Sequence, residues 1–160
     1  MKQLIVLCLL WAAAACNNGR TDPHAHNPDG SHPGEPVLHP LSYTIYSNRS
    51  ELFVEFKPLV VGSTSKFAAH LTKLGETFTP YTEGSVTVSL IQGGQGIKQS
   101  TNAPSSPGIF RLALQPARAG IGKLVFDIST ASFTDQIIID SVTVYPDEKT
   151  AMAAQPPETA

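Results

Sequence analysis

Four histidines near the start of the chain are the residues best placed to do chemistry. His24, His26 and His32 fall within the nine residues "HAHNPDGSH", and His39 follows shortly after. In an extended chain His24 and His26 project to the same side, two residues apart, so both imidazoles reach one ion. His32 and His39 can fold back to join them. Neutral imidazole suits Zn²⁺, Cu²⁺ and Ni²⁺. A slack ligand set loses chain entropy on binding and has no outer groups to orient its rings. The expectation is therefore weak, exchangeable binding of divalent ions. Soft monovalent copper or silver is disfavoured, because Met152 is the only methionine beyond Met1. The alternative is a solvated linker that happens to contain histidine.

The remaining chemistry-bearing residues are scattered. His70 lies in "KFAAHLT", where Phe67, Ala69 and Leu71 share one face and His70 takes the other beside Thr72. It reads as an exposed strand histidine, with a metal ligand or docking contact as the alternative. "GGQGIK" at 93–98 superficially matches a phosphate loop, but strands flank it and no helix start follows, so a hairpin loop is predicted. "NRS" at Asn48 fits a glycosylation sequon. Catalysis finds no constellation: Asp127, Asp135 and Asp140 show no defensible carboxylate pairing, and no nucleophile–base pair is apparent. A cleft holding His70 against a carboxylate and a hydroxyl would revive an enzyme reading; without one, the protein is expected not to be an enzyme.

The elements that carry these residues divide the chain into four. Residues 1–15, "MKQLIVLCLLWAAAA", have the charge, short apolar run and small-residue ending of a cleaved export signal. The run is too short for a permanent transmembrane helix, which needs about 20 residues. Cys16 directly after the alanines resembles the lipobox of bacterial lipoproteins, with Ala13 where leucine is usual, and this implies a lipid anchor on Cys16. An ordinary signal peptide would instead leave Cys16 as a free thiol. Cys8 goes with the leader, so the remaining chain can form no internal disulfide.

Residues 16–40, rich in Pro, Gly, Asn, Asp and His, are predicted to be a disordered tether. Residues 41–146 alternate with period two in short segments: "YTIYS", "ELFVEFK", "KFAAHLT", "SVTVSLI", "IFRLALQ", "GKLVFDIS" and "TDQIIIDSVTVY". Turn signals separate them. Seven or eight such strands predict an all-β, immunoglobulin-like antiparallel sandwich. The phase of the last strand breaks near Asp140, as at a bulge. Residues 147–160 read as a linker-like tail with a helical turn at 147–154, stopped by Pro156 and Pro157. The formal charge of −2 is interspersed and forms no basic stripe, so nucleic acid is not an expected partner.

The phrases "SYTIYSNRSELFVEFKPLVVG", "KFAAHLTKLG", "TEGSVTVSL", "SSPGIFRLAL" and "TDQIIIDSVTVYPDE" resemble the N-terminal domain of certain periplasmic adaptor subunits. These are the membrane fusion proteins of heavy-metal efflux pumps of the resistance-nodulation-division type. The resemblance covers roughly residues 41–154. It implies a lipid-anchored component of a Gram-negative cell envelope, facing the periplasm, with efflux pump or adaptor subunits as partners and divalent metal ions as cargo. It carries over no catalytic residue. Family adaptors continue into lipoyl-like, hairpin, barrel and membrane-proximal domains, and this chain stops where those begin. The expectation is a truncated adaptor or a free-standing copy of the domain. The alternative function is a structural or interaction lipoprotein of the envelope with no metal role.

Overall fold

The computed structural model describes residues 37–156. The signal segment, Cys16 and three tether histidines, His24, His26 and His32, lie outside the described residues. Within them the alternating segments form strands in two facing sheets, an all-β sandwich.

In the first sheet, β1 (Leu41–Tyr46) pairs with β2 (Ser50–Phe56), and β2 with β4 (Ser65–Lys73). The far edge of β4 is shared by β5 (Thr79–Pro80) and β8 (Ile109–Leu114). The second sheet runs β3 (Leu59–Val60), β10 (Thr134–Tyr145), β9 (Gly120–Ser129), β6 (Ser85–Gln92), β7 (Gln95–Thr101). Its pairings are antiparallel except for β3 with β10, which are parallel.

Period-two alternation gives each strand one inward face. Leu52, Val54 and Phe56 of β2, Phe67, Ala69 and Leu71 of β4, and Phe110, Leu112 and Leu114 of β8 are buried on the first sheet. Val86, Val88 and Leu90, then Leu124, Phe126 and Ile128, meet them from the second. Phe56 stacks on Phe67 at 4.6 Å between ring centroids, and Phe67 meets Phe126 edge-on at 6.3 Å, tying the layers together. The bulge predicted near Asp140 is present. Between Ile139 and Val142 the register of β10 slips against Leu124 and Gly122 of β9, inserting one extra residue. The slip keeps Ile137, Ile139, Val142 and Val144 all facing the core, whereas unbroken alternation would turn the last two outward.

The ten strands among the described residues exceed the seven or eight expected. β3 and β5 are two residues each and sit in segments that read as turns. β7 is an edge strand whose side chains are mostly exposed on both faces, so its sequence shows no alternation. Gly93 and Gly94 both take positive φ, 56° and 79°, and form the two-residue turn between β6 and β7.

The packed unit extends beyond 41–146 at both ends. Helix α1 (Glu148–Ala153) forms where a helical turn was expected, capped by Asp147, whose carboxylate accepts the Thr150 N–H at 2.7 Å. Leu38, Val60 and Ala151 form a second small buried cluster with Tyr145 and Met152 against it. Gln155 holds the arriving chain: its Nε2 donates to the Val37 carbonyl at 3.1 Å, and its Oε1 accepts the His39 N–H at 2.5 Å. Residues 37–39, assigned to a disordered tether, are thus part of the folded unit, as is the start of the tail.

Candidate docking face

Strand register places His70 on the outer face of the first sheet. Across β1, β2, β4 and β8, Thr44 lies opposite Phe53, Phe53 opposite His70, and His70 opposite Ile109. Phe53 and His70 approach with ring centroids at 5.6 Å and planes tilted by 55°. Phe53, His70 and Ile109 are all half-buried, although they point away from the core. They bury surface against one another within the sheet plane, and no element among the described residues packs over them. On one side runs the row Ser42, Glu55, Ala68 and Arg111; on the other, Tyr46, Glu51, Thr72 and Pro80. Glu51 hydrogen-bonds the Tyr46 hydroxyl, and that contact with the carboxylate charge pushes the phenol pKa up. The face is an apolar, aromatic strip between polar, charged rows. Such a strip can seat a partner's apolar side chains while the rim pairs polar groups.

A hydroxyl–carboxylate cluster does exist, but on the other side of this sheet. The β1–β2 turn "SNRS" places the Ser47 hydroxyl to accept the backbone N–H groups of Arg49 and Ser50, at 3.0 and 2.9 Å. Ser47 and Ser50 both donate to Asp135 Oδ2 at 2.5 Å. Ser50 spends its single proton there, so its oxygen accepts from the Tyr81 hydroxyl at 2.7 Å. Ser50 and Tyr81 are fully buried. Burial, seconded by the Asp135 charge, raises the Tyr81 pKa and keeps the phenol a donor. The Lys73 ammonium lies over the Tyr81 ring at 5.2 Å, and the Arg49 guanidinium over Phe133 at 5.1 Å. The relay joins the start of β2 to the start of β10, one in each sheet. It is an inter-sheet lock whose Ser50 and Tyr81 end is buried while Ser47 and Asp135 are half-buried at its rim, and His70 is not part of it.

His39 lies beside α1, tied by its backbone to Gln155. Among the described residues, no three His, Cys, Asp or Glu side chains gather in a way that could hold a metal ion. A shallow depression of about 220 Å³ lies beside the β6–β7 hairpin, next to Arg118. That guanidinium donates to the Gln92 carbonyl at 2.8 Å, and Gln92 Nε2 answers to the Arg118 carbonyl at 3.2 Å, so the cation is engaged by the backbone. Sequence reasoning placed His70 on the outer face but missed Phe53 and Ile109 beside it. Cross-strand register, which the sequence does not carry, brings them together.

No protein-family model matches this chain, and comparison with curated proteins finds no match.

Proposed function

We propose that the protein is a lipid-anchored, periplasm-facing envelope component related to the adaptor subunit of heavy-metal efflux systems. In this reading it acts without catalysis, docking on pump or adaptor partners through the outer face of the first sheet. The observation that supports docking is the uncovered Phe53–His70–Ile109 strip between charged rows. The partner class comes from the resemblance of residues 41–154 to adaptor N-terminal domains. Cys16 holds the acyl anchor, and His24, His26 and His32 ahead of the domain gather divalent ions loosely.

Co-purification after cross-linking in envelopes tests the reading. Efflux subunits are expected with the wild-type chain and lost with Phe53→Ser plus His70→Ser, while the circular dichroism spectrum stays unchanged. Retrieval only of unrelated envelope proteins would leave an interaction lipoprotein without a transport role. For the tether, calorimetric titration with Zn²⁺ and Cu²⁺ should give heat that disappears when His24, His26, His32 and His39 are all replaced.

A further inference from the structure

The sandwich protects its strand edges with one exception. On the flank where β7 and β8 lie, Gln99 of β7 reaches across and its Oε1 accepts the Ala113 N–H of β8 at 3.0 Å. β7 also carries Lys98 at its centre, a charge that discourages pairing. β5 is two residues long and contains Pro80. On the opposite flank, β3 is equally short and is covered by Leu38 and Ala151. β8 is as long as β1 but carries Arg111 at its centre; β1, six residues long, "LSYTIY", has no charge, proline or glycine and pairs on one side only among the described residues. Tyr46 at its end is 61% exposed.

The orientation of its free backbone groups follows from the hairpin. Ser47 N–H bonds the Ser50 carbonyl at 2.8 Å. Alternation from that pair directs the backbone groups of Tyr43 and Ile45 toward β2, and those of Ser42, Thr44 and Tyr46 toward the open edge. We propose that β1 pairs antiparallel with β1 of a second copy of this chain, about a two-fold axis at Thr44. That register sets Thr44 opposite its own counterpart and Ser42 opposite the second copy's Tyr46, and satisfies the exposed donors and acceptors of all three. It also sets Tyr43 opposite the second copy's Ile45 on the core side. Both are half-buried at the margin of the core, with Tyr43 stacked on Phe56 at 5.7 Å, and the pairing completes their cover. The strand is self-complementary: Thr44 meets Thr44 and Ser42 meets the Tyr46 ring on the outer face, Tyr43 meets Ile45 on the other, and no charge of β1 opposes another across the seam.

A six-residue seam is about 20 Å long. It buries less than the ~800 Å² per partner of a standard stable interface, so the dimer is weak and concentration-dependent. The proposal rests on the backbone edge of β1 and not on the Phe53–His70–Ile109 strip, although Ser42, Thr44 and Tyr46 also border that face.

The test uses the full chain with Cys8→Ser and Cys16→Ser. Sedimentation should show dimer at roughly 100 µM and monomer near 1 µM. Adding Thr44→Cys should yield an intermolecular disulfide under mild oxidation, because hydrogen-bonded antiparallel partners sit about 5.5 Å apart at Cα, within disulfide reach. Ser42→Cys, four positions from its own counterpart, should cross-link at least tenfold less. Thr44→Lys, at an exposed position, should abolish the dimer with an unchanged spectrum. A chain monomeric at the higher concentration, equal cross-linking of the two cysteine variants, or a dimer indifferent to Thr44→Lys would each overturn the proposal.

Discussion

Replacing Ser50 by Ala probes the inter-sheet lock directly. The side chain is fully buried, donates to Asp135 and accepts from Tyr81. Asp135 loses one donor but keeps the Ser47 hydroxyl and the Gln136 N–H, the latter at 2.9 Å. Its share of the cost is modest, about 1 kcal/mol. The Tyr81 hydroxyl fares worse, because the alanine methyl leaves a buried donor with no partner, at about 1–3 kcal/mol. Together Ser50→Ala should cost about 2–4 kcal/mol. At about 3–5 °C per kcal/mol for a domain of this size, the midpoint should fall by about 6–20 °C. Tyr81→Phe removes the orphaned group, so in the Ser50→Ala background it should cost nearly nothing, or recover stability. Chemical denaturation of the four members of this double-mutant cycle gives the coupling energy, expected to exceed about 1 kcal/mol. A Ser50→Ala variant within about 0.5 kcal/mol of wild type, or strictly additive single changes, would refute the relay.

Three further outcomes rest on other features. The folded Tyr81 pKa lies above its unfolded value, so the folded state holds that proton more tightly; stability is fully present below about pH 10 and is lost as pH rises through the folded value. Alkaline melts should show this decline in wild type and a smaller one in Tyr81→Phe. Asp147 is shifted the other way, first by the Thr150 backbone bond, so its contribution to α1 is present above the ordinary aspartate range and fades as pH falls below it. The exchange protection factor of the Ala151 amide, which bonds the Asp147 carbonyl, should fall in acid and be lower already at neutral pH in Asp147→Ala. Gly94→Val should cost about 1 kcal/mol or more in denaturant melts, since the turn requires positive φ there and a β-branched residue resists it.

The inward strand faces were legible because a half-buried strand must alternate. The β10 bulge was legible for the same reason, since an apolar phase can jump only if the backbone absorbs a residue. The edge strand β7 was not, because neither of its faces is buried enough to select apolar residues. The lock escaped notice because Ser50 comes from "NRS", which reads as a sequon, and Tyr81 from a segment that reads as a turn, and their meeting depends on how the sheets close. The Gln155 clamp joins positions 116 and 118 residues apart, a pairing invisible to any local pattern. Of the candidate site, His70 and its outward direction could be read in advance, whereas the Phe53 contact required register.

Gln155 gives the fold a mechanical property. The described chain arrives at 37–39 and leaves through 151–155 at the same corner, joined by two hydrogen bonds and the small Leu38 cluster. A pulling force applied between the two ends loads that corner before it reaches any strand ladder. The corner therefore acts as a fuse, the first contact to give while both layers stay whole.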